Sequence, residues 1–484
     1  MKIFNSLSRK VEEIEKKPGD KIGVYTCGPT VYDYVTIGNW RTYTLGDLVV
    51  RTLKFLGYDV SYVMNITDVG HLTGDNLGDA DTGEDRLEKG AKREGKSAWE
   101  VAKFYADDFL EGFHKLNMTE PKVFCRATEH IPEQIELVVK IEKAGFVYKI
   151  ADGIYFDTAA YEAAGNKYGE LSTLDEIKVG ARVEPVAGKK NPRDFALWKF
   201  SPAGQKRQME WESPWGTGFP GWHIECSAMS MKYLGEQFDV HIGGEDLRST
   251  HHPNEIAQAE AATGKKPFVR YWMHGAFLQV DGGRMGKSLG NAYTLQDIEK
   301  RGFSPMVLRY FYLTGHYRKS LNFTWEGLEG AKKSLFRLKD KVEDLMTNKD
   351  WEQVDGWSKK EVLENDKDRT LFWKNKFREK IEDDLNMPEA LAVVWQMINK
   401  TEGSAPHTVI YELLLDFDRV LGLGLDGVES PILQIPGKVQ RLKDERERLR
   451  GEKKFDEADA VRKQIEETGF VVEDTPEGPV VRKR

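Results

Sequence analysis

A strand–helix–strand pattern near the start of the chain limits the fold most strongly. The apolar run KIGVYT begins at Lys21 and ends at a Gly-Pro turn, which predicts a buried strand. Leucine and valine then recur at three- and four-residue spacing over residues 45–56, which predicts an amphipathic helix that stops at Gly57. The segment DVSYVMNITDV predicts a second strand, parallel to the first and reached by a right-handed crossover.

The same α/β pattern returns much later in the sequence. FDVHIGG at 238–244 and YWMHGAFLQV at 271–280 predict two further strands, with a helix beginning near Pro253 between them. Residues 128–206 are mixed in pattern and partly rich in Gly, Pro and Lys, so we interpret them as an insertion that splits the sheet. Helical patterns dominate after Asn291, and a helical pair followed by a hairpin is predicted over 438–484.

Composition supports a folded protein of several domains. The chain has 484 residues, 40% hydrophobic, and only three cysteines, too few for a disulfide framework. It contains no stretch near the roughly 20 apolar residues that span a bilayer, and its first residues lack a secretory pattern, so we expect a cytosolic protein. A net charge of −8 argues against indiscriminate nucleic-acid binding but allows a local basic patch.

Four dispersed residues form a candidate metal site: Cys27, Cys226, His251 and Glu255. Thiolate, imidazole and carboxylate all suit Zn²⁺, and the four-residue spacing in HHPNE can place His251 and Glu255 on one helix face. Spacing alone leaves open that the cysteines are buried apolar residues and that His251 caps a helix. We predict that Cys125 only packs in the core.

Two further segments could bind phosphate. Thr36-Ile37-Gly38-Asn39 lies where the first helix should begin, and a helix N-terminus offers N–H groups and a positive dipole end. The glycine-rich loop VDGGRMGKSLGN at 280–291 carries Arg284, Lys287 and Ser288. An ordinary turn and a solvated basic hairpin remain alternatives. The loop lacks the spacing of a P-loop.

Taken together, these motifs resemble the class I aminoacyl-tRNA synthetases, with a HIGH-type turn, a KMSKS-type loop and a split α/β sheet. The resemblance is closest to the cysteinyl-tRNA synthetases and runs over nearly the whole chain. It rests on the segments YTCGPTVYD, NITDV, NPRDFALWK, SPWGTGFPGWHIECSAMS, IGGEDL, HHPNEIAQ, GKSLGN and EDTPEGPVVR.

The resemblance implies a role for each matching position. It implies one Zn²⁺ on Cys27, Cys226, His251 and Glu255, and a transition-state role for Lys287. It also implies that ATP meets Thr36, Ile37, Gly38, Asn39, Gly244, Asp246, Arg284, Met285, Gly286, Lys287 and Ser288, with Thr36, Gly38 and Asn39 taking part in catalysis. The amino acid is expected to meet Gly28, Thr30, Thr67 and Trp222.

Two motifs depart from the family pattern. Thr36 and Asn39 replace both histidines of the HIGH-type turn, and neither side chain carries the charge of a protonated histidine. The KMSKS-type loop begins with Arg284, which keeps the charge but changes the contact geometry, and has Gly286 at its centre. We expect activity to survive the change in the turn, because a similar Thr/Asn turn occurs in other class I synthetases.

The predicted fold class is α/β: a Rossmann-like parallel sheet split by an inserted connective domain, then a helical domain and a small C-terminal α+β module. The predicted boundaries are 1–127 and 207–291 for the two halves of the catalytic domain, 128–206 for the connective domain, 292–345 for a stem-contact region, 346–423 for a helical bundle, 424–437 for a linker and 438–484 for an anticodon-recognition module.

The expected activity is ligation of L-cysteine to tRNA(Cys) with Mg²⁺-ATP, by a cytoplasmic monomer that does not bind membranes. Two alternatives are a cysteine ligase of mycothiol synthesis and a tRNA-binding homologue without catalysis. The first would not need the C-terminal helices and module. The basic residues of 438–454 favour RNA contact, although acidic residues interleave with them as on a solvated helix face.

Overall fold

The computed structural model divides the chain into two compact units. It describes residues 1–73, 84–172, 186–202, 204, 206–347, 359–401, 405–428, 437–475 and 478–483. The first unit comprises Met1–Lys333, Trp373–Gln396 and Phe417–Leu423, and the second comprises Ser334–Phe372, Met397–Asp416 and Gly424–Arg484.

The strands are short, and most lie in the first unit. In chain order they are β1 (Lys2–Asn5), β2 (Lys10–Glu13), β3 (Lys21–Thr26), β4 (Asp59–Ile66), β5 (Leu72–Thr73), β6 (Glu84–Asp85), β7 (Val123–Arg126), β8 (Val147–Ile150), β9 (Gly153–Phe156), β10 (Phe195–Phe200), β11 (Gly218–Pro220), β12 (Phe238–Gly244), β13 (Val269–Gly275), β14 (Leu278–Val280), β15 (Gly283–Arg284), β16 (Leu321–Phe323), β17 (Phe470–Thr475) and β18 (Gly478–Lys483).

Helices dominate the later part of the chain, as the sequence predicts. In chain order they are α1 (Ile37–Phe55), α2 (Arg86–Glu94), α3 (Ala98–Lys115), α4 (Ile131–Lys143), α5 (Thr158–Ala163), α6 (Trp222–Leu234), α7 (His251–Thr263), α8 (Leu295–Lys300), α9 (Pro305–Leu313), α10 (Trp325–Thr347), α11 (Lys359–Asn365), α12 (Lys367–Glu382), α13 (Met387–Thr401), α14 (His407–Leu421), α15 (Gly437–Gly451) and α16 (Phe455–Glu467). Among the described residues, no helix combines the length and apolar character needed to cross a bilayer.

A five-stranded parallel sheet organises the first unit. Its strand order is β13-β12-β3-β4-β7, and each neighbouring pair is parallel. β3, β4 and β7 come from the first part of the sequence and β12 and β13 from the second, which confirms the predicted split Rossmann-like sheet. Between these halves, β8 to β11 form a separate antiparallel sheet in the order β11-β10-β9-β8.

Local sequence sets where the main helix begins and ends. Thr36 has extended backbone angles and its side chain accepts from the N–H of Asn39, so it is the N-cap of α1. The helix ends at Phe55, and Gly57 follows with a φ of 89°, a left-handed conformation that glycine adopts without strain. The predicted stop at Gly57 is confirmed.

The segment 271–280 differs from its predicted single strand. β13 ends at Gly275 and β14 begins at Leu278 in a different sheet. The N–H of Ala276 donates to the carbonyl of Tyr317, and the Arg41 guanidinium donates to the carbonyls of Ala276 and Phe277. These long-range hydrogen bonds replace sheet pairing at the break, so the local apolar pattern could not reveal it.

The C-terminal residues form a helical pair and a hairpin, as predicted. α15 and α16 pack with the antiparallel strands β17 and β18. Their shared core consists of the buried residues Val439, Leu449, Ala458, Val461, Ile465, Val472 and Val481. Of the basic residues in 438–454, Arg446 is buried and cannot face a phosphate, whereas the others lie at or near the surface.

A buried ion pair stabilises the packing around α1. Arg309 Nη2 lies 2.5 Å from Asp47 Oδ2, and both side chains are fully buried. The same guanidinium donates to the carbonyls of Leu421 and Leu116 at 2.9 and 3.0 Å. Burial alone would raise the pKa of Asp47, but the charges of Arg309 and Arg51 lower it.

We expect Asp47→Asn to lower the free energy of unfolding by about 3–5 kcal/mol, because it leaves Arg309 buried without a counter-ion. The depressed pKa of Asp47 means that its contribution is present above the ordinary carboxylate pKa and is lost as the pH falls through the folded-state pKa. Urea denaturation at neutral and acidic pH measures both effects.

The matched control is Asp107→Asn, which breaks an exposed pair with Lys103. Its effect should stay below about 1 kcal/mol. Equal losses in the two variants would contradict the structural role of the buried pair.

Candidate active site and metal centre

A cavity of about 480 Å³ opens at the carboxyl ends of β3 and β12. β3 pairs with β12 on one side and with β4, the next strand in sequence, on the other. The sheet therefore reverses its direction of winding between β3 and β12, and ligands of open α/β sheets bind at such a switch point.

The four predicted metal ligands converge at the floor of this region. Cys27 directly follows β3, Cys226 lies in α6, and His251 and Glu255 lie one turn apart in α7. One ligand atom from each lies within 4.8 Å of the others, and all four residues are buried. Cys27 and His251 also line the cavity. The tertiary structure therefore brings together a set that spacing alone left undecided.

The distances within this set suit a tetrahedral zinc ion. Zn–S bonds of about 2.3 Å at the tetrahedral angle place two sulfurs about 3.8 Å apart. The Sγ atoms of Cys27 and Cys226 are 4.0 Å apart, and Glu255 Oε1 lies 3.9 Å from Cys27 Sγ and 3.1 Å from His251 Nε2. Two sulfurs, one nitrogen and one oxygen match the donors that zinc prefers.

Several histidines that the sequence analysis missed surround this set. His223 Nδ1 lies 2.9 Å from His251 Nδ1, which leaves His251 Nε2 facing Glu255. His241 Nε2 lies 2.9 Å from Glu255 Oε2, and His252 Nε2 lies 3.5 Å from Cys27 Sγ. Such outer contacts orient metal ligands. The second histidine of HHPNE was a signal that sequence reasoning could have used.

An overlapping set of Cys27, His241, His252 and Glu255 also lies within ligand distance. It offers one thiol where the first set offers two, and thiolates bind zinc strongly. Within the described part of the chain, Nδ1 of His241 has no hydrogen-bond partner, whereas His251 is held through both ring nitrogens. The set with both cysteines is therefore the better zinc site.

The electrostatics of the first set favour ionised ligands at two positions. Burial alone would raise the pKa of Glu255, but His241 and His251 hold it at about 2. The hydrogen bond from Cys27 lowers the pKa of Cys226 despite its burial, while burial raises the pKa of Cys27. A carboxylate and one thiolate are thus favoured, and a bound cation would favour the second thiolate.

The predicted phosphate-binding turn lies at the N-terminus of α1. Thr36 Oγ1 donates to Asn39 Oδ1 at 2.7 Å, so the two replacements for histidine contact each other. This contact orients the side-chain amide of Asn39, which lies at the exposed rim of the cavity. Thr36 and Asn39 line the cavity, and Ile37 and Gly38 begin the helix between them.

The glycine-rich loop reaches the same cavity from β14 and β15. Arg284 and Lys287 line the cavity, and Lys287 begins a short 3₁₀ turn. Asn291 closes the loop, since its side chain accepts from the N–H of Gly286 and donates to the carbonyl of Arg284. The side chain of Ser288 lies outside the described part of the chain.

Met285 packs on the first turn of α1. The Met285 methyl group occupies the space where a Cβ at Gly38 would lie, so this side chain packs directly against the start of α1. The N–H of Ile37 also donates to the carbonyl of Tyr293 at 2.9 Å. The two predicted phosphate-binding segments are therefore in direct contact.

The residues predicted to meet the amino acid lie close to the metal ligands. Thr30 and Trp222 line the cavity, and the Trp222 and His251 ring centroids are 4.6 Å apart. Gly28 also lines it and leaves no room for a Cβ beside the carbonyl of Asn65. Thr67 is buried beneath this wall, where it forms a bridge with Thr30.

The positions predicted to meet adenosine occupy another wall of the cavity. Gly244 ends β12 and Asp246 follows it, and both line the cavity.

Cys125 lies in the hydrophobic core and donates to the carbonyl of Met64, in agreement with a packing role. Sequence reasoning did not single out Tyr32 and Asp33, which also line the cavity.

Comparison with known proteins identifies the family. Residues 13–333 match the family model of the class I (C) tRNA synthetase catalytic domain. The chain is 45% identical to cysteine–tRNA ligase 1 of Burkholderia lata over 479 residues, covering 98% of this chain and 95% of the relative. It is 42% identical to cysteine–tRNA ligase of Treponema denticola, covering 98% of each chain.

Solved structures agree on the fold. Mycobacterium tuberculosis methionyl-tRNA synthetase in complex with methionyl-adenylate superposes with a TM-score of 0.57 at 15% identity, over 85% of this chain and 92% of that one. Leucyl-tRNA synthetase of Agrobacterium radiobacter gives 0.56 at 12% identity, over 86% and 85%. From its full-length relatives and its catalytic-domain match, the chain belongs to the cysteine–tRNA ligase family of class I aminoacyl-tRNA synthetases.

Proposed function

We propose that this protein activates L-cysteine with ATP and transfers the cysteinyl group to the 3′ end of tRNA(Cys). The observation that carries this proposal is the shared cavity. Its lining joins a thiol-rich zinc site, the N-terminus of α1 and the Lys287 loop. Full-length relatives named as cysteine–tRNA ligases support the same activity.

In the first step, an oxygen of the cysteine carboxylate attacks the α-phosphate of Mg²⁺-ATP. A new P–O bond forms, the bond to the β-phosphate breaks, and pyrophosphate leaves. The positive end of the α1 dipole and the Lys287 ammonium stabilise the charge that develops on the phosphates. Binding both substrates in one cavity orients the carboxylate toward the α-phosphate, which lowers the activation barrier further.

The two departures from the family pattern are compatible with this step. Thr36 caps α1 and holds Asn39 in place, and Asn39 retains a side-chain amide that can donate to phosphate or ribose. Arg284 lines the cavity and supplies a second cation beside Lys287.

In the second step, a hydroxyl of the terminal tRNA ribose attacks the carbonyl carbon of cysteinyl-adenylate. An ester bond to the tRNA forms, the bond to AMP breaks, and the hydroxyl proton is released. Neither step requires covalent attachment of a protein side chain.

Cys27, Cys226, His251 and Glu255 would hold zinc beside the amino-acid pocket. When bound, zinc supplies a strong site for the soft cysteine thiolate and a poor one for a serine hydroxyl. Packing alone separates such similar side chains by only about 1–3 kcal/mol. Trp222, whose ring is tilted by 50° against the His251 ring, would orient the substrate at this position.

Cysteine-dependent ATP–pyrophosphate exchange, followed by charging of tRNA(Cys), tests the function directly. A homologue without catalysis would give no exchange, and a mycothiol-type ligase would exchange but would cysteinylate a sugar amine instead of tRNA. The match of the relatives over nearly the whole chain favours tRNA. We further propose that the enzyme acts as a cytoplasmic monomer.

We expect Cys226→Ser to reduce both bound zinc and the preference for cysteine over serine, because it removes one of two thiolate ligands. The discrimination should fall at least tenfold, the lower range reported for changed metal ligands and their supports. Metal analysis and pyrophosphate exchange with each amino acid provide the two measurements.

Cys125→Ser is the matched control, since Cys125 lies outside both metal sets. It should retain zinc and discrimination in the folded enzyme. Unchanged zinc content and unchanged cysteine preference in Cys226→Ser would refute the metal assignment.

We expect Lys287→Ala to lower the maximal exchange rate about 10²- to 10³-fold, the usual loss for one group that stabilises developing charge. Cysteine binding should change much less, because the interaction strengthens mainly in the transition state. Steady-state exchange kinetics and direct cysteine binding distinguish the two effects. A variant that loses only cysteine affinity would exclude this role.

The C-terminal module is proposed to contact the anticodon. Exposed basic residues on α15, including Arg441 and Arg450, could approach phosphates, while unpaired bases could be read by stacking and edge contacts. The pairs Arg448–Glu452 and Lys454–Glu452 neutralise part of this surface. Binding through phosphates should weaken as the salt concentration rises.

A chain that ends after Leu433 should still form cysteinyl-adenylate, because every proposed active-site residue precedes that point. It should charge tRNA(Cys) poorly. Adenylate formation by the same preparation is the internal control for folding. Undiminished charging, with unchanged discrimination against anticodon mutants, would show that the module has another purpose.

A further inference from the structure

Lys287, the lysine of the KMSKS-type loop, pairs with an acidic residue of the cavity lining. Lys287 Nζ lies 2.6 Å from Asp33 Oδ2, although the two residues are 254 positions apart. Both line the proposed nucleotide cavity. The lysine side chain is half exposed and that of Asp33 is 30% exposed, so the pair lies at the cavity surface where a ligand can displace it.

The Asp33 carboxylate is oriented by a hydrogen bond from the neighbouring backbone. Asp33 Oδ1 accepts from the N–H of Tyr34 at 2.8 Å, which leaves Oδ2 directed at Lys287. The lysine ammonium also lies 5.1 Å from the centre of the Tyr32 ring. Arg86 donates to the hydroxyl of the same tyrosine, so the ring is held as well. These contacts form a defined binding position for the Lys287 ammonium group.

The loop that carries Lys287 is itself docked on α1. Met285 fills the space over Gly38, and Asn291 closes the loop through Gly286 and Arg284. A change of partner by Lys287 requires rotation of its own side chain away from Asp33. Asp33 and a bound triphosphate would be alternative partners for the same ammonium group.

We propose that Asp33 is a positioning residue that acts through Lys287, holding it away from the phosphate site until ATP displaces the carboxylate. This inference rests on the proposed function, since it names the partner that Lys287 leaves when nucleotide binds. ATP carries several negative charges and Asp33 carries one, so the exchange favours ATP. Returning Lys287 to Asp33 favours release of pyrophosphate.

Because the Asp33–Lys287 pair must break when ATP binds, the wild-type enzyme should bind ATP more weakly than a variant without the pair. This difference in affinity should depend on Lys287. Asp33→Asn should lower the KM and the dissociation constant for ATP about two- to fivefold, the factor that corresponds to an exposed ion pair. The kcat of exchange should remain close to that of the wild type, because Lys287 already contacts phosphate in the ATP complex. Asp33→Glu retains the charge and should restore an ATP affinity near that of the wild type.

The test combines Asp33→Asn with Lys287→Ala in a double-mutant cycle. ATP binding is measured by equilibrium dialysis, and exchange kinetics are measured at saturating cysteine. In the Lys287→Ala background, Asp33→Asn should leave the ATP dissociation constant nearly unchanged, because no lysine remains to be released. Asp107→Asn, an exposed carboxylate outside the cavity lining, is the matched control and should change neither quantity.

Three results would overturn the proposal. An increase in the KM for ATP in Asp33→Asn would show that the carboxylate helps to bind the nucleotide. An equal effect in the presence and absence of Lys287 would show that Asp33 acts on ATP directly. An equal rise of ATP affinity in Asp33→Glu and in Asp33→Asn would show that the effect does not depend on the charge at this position and that Asp33 has a purely structural role.

The proposed function and this inference fail in different ways. Wild-type enzyme without cysteine-dependent exchange would refute the function, while the dialysis measurements would still test the Lys287–Asp33 coupling. Exchange in the wild type with additive effects of the two substitutions would refute only the role of Asp33.

Discussion

The parallel pairing of β3 with β12 is the constraint on which the active site depends. It joins strands separated by more than 200 residues and brings their carboxyl ends to one edge of the sheet. Cys27 follows one strand and Gly244 ends the other, while α1 begins nearby, with Thr36 and Asn39 in the cavity lining. Without this pairing, the predicted metal ligands and the predicted phosphate-binding segments would remain separate local features.

The buried site combines two electrostatic environments in a short distance. At its floor, buried thiols, imidazoles and a carboxylate form a set whose charges a metal ion would balance. At its rim, Lys287 and Arg284 face a cavity that solvent enters. The proposed amino-acid selection and phosphate chemistry would therefore depend on different residues, the first on the candidate metal ligands and the second on the cations at the rim.

Local patterns predicted much of the fold because they record which residues are buried. The apolar period of residues 45–56 predicted α1, and short apolar or alternating segments predicted β3, β4 and β12. The break between β13 and β14 escaped this reasoning, since it depends on hydrogen bonds from Arg41 and to Tyr317. A local window contains neither partner.

The sequence by itself determined the family, the order of the elements and the chemical types available to the site, because the motifs around Cys27, Cys226, His251 and Lys287 are long and specific. Only the tertiary structure decided which side chains meet. It placed His241 against Glu255, His223 against His251 and Asp33 against Lys287. These contacts join distant segments, so they follow from the sheet's crossover connections and the packing of helices on it, which no spacing within a motif encodes.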